Sequence, residues 1–177
     1  MSMISKKMCL IGDFGVGKTS LIRRFVDRQF SDQYLSTVGV KISRKNIELV
    51  EVKQQEKLDL QMLIWDLEGH TKFKAIAPSY LQGSSGAVIV ADVSRQETIE
   101  RIPEHLQLFA SVNPKSSAII ALNKSDLVDE DKLAKLFELV QDLPQEEILG
   151  IYTTSAKTGK DVDAIFQKLA YKMVEPV

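Results

Sequence analysis

Residues 12–19 read GDFGVGKT, which fits the pattern G-x-x-x-x-G-K-[ST]. Glycines at this spacing let the backbone wrap closely around phosphate oxygens, whose charge also suits a helix N-terminus. Lys18 would neutralise β- and γ-phosphates, and Thr19 would offer its hydroxyl to Mg²⁺. The contacting set on this reading is Gly12, Phe14, Gly15, Val16, Gly17, Lys18, Thr19 and Ser20. A bare glycine-rich turn is the plain alternative, and the strand–loop–helix context around the motif favours a nucleotide.

Two later stretches bear on which nucleotide. NKSD, residues 123–126, closes an apolar run, at the strand end where open α/β sheets bind ligands. The Asp126 carboxylate can accept from both the N1–H and the exocyclic amine of guanine, which adenine cannot supply. Asn123 could fix the loop and the Lys124 stem could cover a ring face. Alone, NKSD would read as a surface turn. SAK (Ser155, Ala156, Lys157) ends the next apolar run, where the Ala156 N–H could meet guanine O6. As a tripeptide it carries little; as the third element in order it counts. A fourth stretch, WDLEGHTKF (65–73), sets a carboxylate, a glycine and then His70 in close succession.

The elements that must position these groups alternate between strand and helix. Residues 6–12 form a short apolar run, followed by a helical stripe of Leu21, Ile22, Phe25 and Val26. In 58–66, Leu58, Leu60, Met62, Ile64 and Asp66 share one face, the period of a strand. GAVIVADV (86–93), SAIIALN (117–123) and ILGIYTTS read as central parallel strands covered on both faces. Helical stripes lie between and after them: Ile99, Ile102, Leu106 and Phe109; Leu133, Leu136, Phe137 and Val140; Val162, Ile165, Phe166, Leu169 and Met173. Such alternation predicts an open, mostly parallel α/β sheet with right-handed crossovers. Residues 38–50 and 57–66 read as an antiparallel hairpin at one edge.

The chain's 177 residues suit one domain with a continuous core. A net charge of -1 gives no bulk attraction to nucleic acid or anionic membrane. The single cysteine, Cys9, excludes an internal disulfide and reads as a buried strand residue in a reducing compartment. No apolar run reaches a membrane span, no signal-peptide core is present, and MVEPV offers no cysteine for prenylation. The expectation is a cytoplasmic protein with no intrinsic membrane anchor. His105 reads as a surface or boundary residue of a helix, and DEDK (129–132) as a helix start capped by Asp129.

In this order and at these separations, GDFGVGKTS, STVG (36–39), WDLEG (65–69), NKSD and SAK resemble the Ras superfamily of small GTPases. The resemblance covers essentially the whole chain, and FVDRQFSDQYLSTVGV (25–40) with Trp65 is most similar to the Rab branch. It implies a P-loop small G domain over residues 1–177: a six-stranded, mostly parallel α/β sheet with one antiparallel edge strand and five surrounding helices. It implies GTP/GDP and Mg²⁺ as cofactors, and protein effectors and regulators that read switch segments 31–45 and 67–82. Thr37 is similar to the first-switch threonine that joins Mg²⁺ and senses the γ-phosphate. Asp66 matches the carboxylate of the metal shell, so the implied metal set is Thr19, Thr37 and Asp66. Gly69 matches the γ-phosphate N–H, Phe30 the aromatic packed on guanine, and Tyr34 the one that closes over the phosphates. Plain alternatives are a core role for Phe30 and a loop anchor for Tyr34.

The implied catalytic set is Lys18, Thr37, Gly69 and His70, and it contains a departure. Most members carry glutamine after Asp-x-x-Gly to orient the attacking water; this chain has His70. A neutral imidazole can also hold a water, and its protonation changes easily near pH 7. Phe14 is the second departure: a large ring there could obstruct an arginine supplied in trans, and no arginine stands at an obvious cis position. Lys41-Ile42 replaces the usual Asp-Phe of Rabs. Three readings follow: a slow GTPase switch, a GTP-bound scaffold that barely hydrolyses, and an unrelated P-loop ATPase or kinase, which NKSD argues against.

Overall fold

The computed structural model describes residues 3–28, 40–52, 55–67 and 78–175. Six strands form one sheet: β1 (Met3–Gly12), β2 (Val40–Val52), β3 (Gln55–Leu67), β4 (Ser84–Asp92), β5 (Ser117–Asn123) and β6 (Ile148–Thr153). Their order across the sheet is β2-β3-β1-β4-β5-β6. Only the β2–β3 pair at the edge is antiparallel; the other neighbours run parallel. This is the architecture the alternating pattern predicts.

The described residues hold five α-helices: α1 (Lys18–Asp27), α2 (Gln96–Glu100), α3 (Ile102–Val112), α4 (Glu130–Leu139) and α5 (Val162–Val174). The stripe Ile99–Phe109 is therefore two helices, where its periodicity suggests one. Pro103 accounts for the break, because it has no N–H to give the Ile99 carbonyl. The Arg101 N–H takes that carbonyl instead and Pro103 lies in the first turn of α3. Asp129 caps α4 as expected, its carboxylate accepting from the Lys132 N–H at 2.8 Å.

Strand alternation feeds two cores. Met8 and Leu10 face α1 and α5 together with Leu60, Met62, Ile64, Phe25 and Phe166. Cys9 and Ile11 face the opposite side with Ile89, Ile120, Leu106, Phe109 and Leu136. The Phe25 and Phe166 rings stack with centroids 4.2 Å apart and fix α5 against α1. Such a pair adds about 0.5–1.5 kcal/mol beyond its area burial. Cys9 is buried as predicted, and that burial pushes its thiol up despite the nearby Ser84 hydroxyl and Lys7. Among the described residues, no helix is long and apolar enough to cross a membrane.

Register sets where the functional groups emerge. Leu10 pairs with Asp66, Gly12 with Val90, and Asp92 with Asn123. The carboxyl ends of β1, β3, β4 and β5 therefore present Gly12, Asp66, Asp92 and Asn123 along one edge, where open α/β sheets take their ligands.

Candidate nucleotide-binding site

The loop between β1 and α1 is built by close approach. A Cβ on Gly12 would lie 2.3 Å from the Val90 carbonyl oxygen, so β4 leaves room for hydrogen alone. Gly17, with φ 105°, turns the chain into α1, and a Cβ there would lie 2.4 Å from Asn123 Nδ2. Lys18 follows, buried, its Nζ donating to the Gly12 and Asp13 carbonyls at 3.0 Å each. Burial lowers the Lys18 ammonium to about 8; Asp66 and Asp13 oppose the fall, and the Arg95 charge adds to it. Thr19 Oγ1 donates to Asp66 Oδ2 at 2.5 Å. A hydroxyl beside a carboxylate is an oxygen-only donor set, the chemistry a hard divalent cation such as Mg²⁺ takes. Val16 is fully buried and Ser20 half-buried, while the Phe14 ring is 44% exposed.

The base-side loops are tied to the phosphate-side loop. Asn123 Nδ2 donates to the Val16 carbonyl at 3.0 Å, and its Oδ1 accepts from Thr154 Oγ1 at 3.0 Å. Lys124, in the left-handed region at φ 63°, reaches back to the Gly15 carbonyl at 2.9 Å and to Asp92 Oδ2 at 3.0 Å. Ser155 Oγ donates to Asp126 Oδ1 at 2.7 Å, which joins SAK to NKSD. Ala156 is buried beside them, and the exposed Lys157 offers its carbonyl to Arg24 Nη1 at 3.2 Å. The structure thus brings Lys18, Thr19, Asp66, Asn123, Lys124, Asp126 and Ser155 to one end of the sheet. Phe30, Tyr34, Thr37, Gly69 and His70 lie outside the described residues, as do most of the two switch segments.

One expectation needs correcting. His105 is buried, not at the surface: its Nε2 donates to Asp13 Oδ1 at 2.8 Å. Arg101, the residue just before α3, pairs with the other Asp13 oxygen. Burial pushes the Asp13 carboxyl up, but the His105 and Arg101 hydrogen bonds outweigh it and hold it below the usual carboxylate range. The spacing carried this signal, because positions 102, 105, 106 and 109 form one helical stripe and put His105 on the buried side. An arginine also stands beside the phosphate loop. Arg95 Nη2 donates to the Phe14 carbonyl at 2.6 Å, and its Nε pairs with Asp92 Oδ2 at 3.3 Å.

A glycine loop from strand to helix, a buried lysine at its floor and a hydroxyl–carboxylate pair beside it define a P-loop nucleotide-binding protein of the α/β class. The Ras family model matches residues 7–175, and the chain belongs to that family as a Rab-like, guanine-nucleotide-binding small GTPase. It is 36% identical over 171 residues to Ras-related protein RABF2b of Arabidopsis thaliana, covering 96% of this chain and 82% of that one. It is 38% identical over 167 residues to Ras-related protein Rab-1C of Dictyostelium discoideum, covering 93% and 78%. The GTP-binding protein ypt4 of Schizosaccharomyces pombe is 32% identical over 161 residues, covering 90% and 68%.

Proposed function

We propose that this GTPase is a Mg²⁺-dependent switch that hydrolyses GTP slowly and engages effectors and regulators through residues 31–45 and 67–82. The observation that carries the reading is the buried Lys18 ammonium beside the Thr19–Asp66 pair at the ends of β1 and β3. Lys18 meets β- and γ-phosphate oxygens, and the loop N–H groups from Gly15 to Thr19 line the phosphates. Thr19 and Asp66, with Thr37, would hold Mg²⁺, which would supply positive charge against the phosphates. The Ser155 hydroxyl orients the Asp126 carboxylate to accept from the guanine N1–H and exocyclic amine. Gly69 and His70 take the γ-phosphate and the attacking water, roles they carry from the family resemblance. Losing the γ-phosphate releases both switch segments.

A second reading, a long-lived GTP-bound scaffold, is favoured by the exposed Phe14 ring on the phosphate loop. The purified protein should carry GDP or GTP and release phosphate slowly in single turnover. Faster release by His70→Gln supports the scaffold; loss of release makes His70 catalytic and removes that reading. A protein that binds no guanine nucleotide overturns both.

A further inference from the structure

We propose that Arg95 is a positioning residue for nucleotide binding; the proposal rests on the guanine-nucleotide reading of the site above. It holds the Phe14 carbonyl from the back of the phosphate loop and so turns the Gly15 N–H toward the phosphates. Three consecutive loop carbonyls are each taken by a side chain from outside the loop. Arg95 Nη2 donates to Phe14 at 2.6 Å, Lys124 Nζ to Gly15 at 2.9 Å and Asn123 Nδ2 to Val16 at 3.0 Å. The loop peptides are trans, so each of these carbonyls points opposite to the N–H of the next residue. Holding them therefore turns the N–H groups of Gly15, Val16 and Gly17 to the other face, a turn that Gly15 at φ 77° and Gly17 at φ 105° permit. Successive N–H groups turned one way form an anion-binding concavity.

Asn123 and Lys124 belong to NKSD, whereas Arg95 comes from a separate segment between β4 and α2. Its backbone is fixed at both ends: its N–H donates to the Asp92 carbonyl at 3.0 Å, and its carbonyl accepts from the Thr98 N–H at 3.0 Å. Its Nε pairs with Asp92 Oδ2 at 3.3 Å, the oxygen that Lys124 Nζ meets at 3.0 Å. Asp92 is buried, and its Oδ1 accepts from the Ser94 N–H at 2.9 Å and Oγ at 2.6 Å. Burial pushes this carboxyl up, but the Ser94 hydrogen bonds and Lys124 outweigh it and hold it below the usual carboxylate range. One buried carboxylate at the end of β4 thus carries both cations, and they take adjacent peptides of the loop.

A guanidinium presents its N–H donors in a rigid plane, so fixing Nε on Asp92 also fixes where Nη2 points. A charged donor on the Phe14 carbonyl also polarises the Phe14–Gly15 peptide, which makes the Gly15 N–H a stronger donor to a phosphate oxygen. The guanidinium itself stays on the back face of the loop. Its effect reaches the nucleotide through one peptide plane, with no contact to the phosphates and no proton exchanged.

The test compares wild type, Arg95→Ala and Arg95→Lys for GDP and GMP affinity, by competition against a fluorescent GDP, and for the phosphorus NMR spectrum of bound GDP. Arg95→Ala should weaken GDP by about 10-fold, the low end for a hydrogen bond to a charged group because the side chain is 38% exposed. GMP, which has no β-phosphate to meet the Gly15 N–H, should bind alike in all three proteins. The β-phosphate resonance should move in Arg95→Ala while the α-phosphate resonance holds. Lys124 shows that an ammonium can span Asp92 and a loop carbonyl, so Arg95→Lys should restore much of the affinity and of the resonance position. Equal GDP affinity in wild type and Arg95→Ala overturns the proposal. An equal loss for GDP and GMP, the mark of general loosening, overturns it too, as does an Arg95→Lys protein as weak as Arg95→Ala. In these cases GDP binding by the wild type leaves the guanine-nucleotide reading standing; a wild type that binds no guanine nucleotide overturns that reading as well.

Discussion

His105 Nε2 lies 2.8 Å from Asp13 Oδ1, so helix α3 grips the phosphate-binding loop through a buried imidazole. Arg101 holds the other oxygen of the same carboxylate. Removing one partner of a buried hydrogen bond costs about 1–3 kcal/mol, because the group left behind stays desolvated. His105→Ala should therefore lower stability by about that amount in urea unfolding of the GDP-bound protein. It should also speed GDP release, since Asp13 sits in the loop whose carbonyl holds Lys18. His105→Gln retains an N–H donor and should restore much of both losses.

The same contact sets an acid limit. Asp13 is held below the usual carboxylate range when folded, so between the folded value and the ordinary 3.8 the unfolded chain binds more protons. Stability from this group is therefore complete above pH 3.8 and drains away as pH falls through the folded value. Asp13→Asn removes the titrating group. Its stability should fall less steeply with pH below about 4 than that of wild type, followed by circular dichroism in urea. Equal slopes would detach Asp13 from the acid limit.

The sheet was legible because its strands keep a clean period. β5 spans the same residues, 117–123, that the apolar run marks, and Leu58 to Asp66 share the buried face their alternation assigns. The ends of those strands carry NKSD and WDLEG, so motif order and fold agree. The Asp13 clamp was harder to read. A polar residue within an apolar stripe looks like a boundary position until its partner is known, and that partner lies 92 residues away. Arg95 was hidden for a related reason. Its contact with Phe14 spans 81 residues and follows from the β1–β4 register, which no local pattern encodes.

Lys18 carries a second pH prediction. Its ammonium is lowered from 10.5 to about 8 by burial, so the free protein sheds this proton from pH 8 upward. In the 8 to 10.5 window the unfolded chain binds more protons, and Lys18 alone makes stability rise with pH there. Phosphate oxygens favour the charged form, so nucleotide binding should reverse the shift. GDP binding near pH 8.5, measured by titration calorimetry in buffers of different ionisation enthalpy, should take up protons, and affinity should weaken as pH rises (about 8.5 falls within that window). Lys18→Arg keeps its charge throughout and should abolish the uptake.

Asp126 tests base recognition apart from phosphate recognition. Ser155 Oγ donates to its Oδ1 at 2.7 Å, which fixes the carboxylate plane. Guanine offers two N–H groups to that carboxylate, whereas xanthine carries an oxygen in place of the exocyclic amine. Asp126→Asn converts one acceptor into a donor, so it should weaken GDP and strengthen xanthosine diphosphate. Each exchanged pair is a buried donor–acceptor mismatch worth about 1–3 kcal/mol, or roughly 10- to 100-fold in each affinity. Asn123→Ala is the contrasting variant. It cuts the tie between Val16 and Thr154 without touching base-edge chemistry, and should weaken GDP and xanthosine diphosphate alike. Competition of both variants against a fluorescent GDP would separate the two effects, and an unchanged guanine preference in Asp126→Asn would remove Asp126 from the base site.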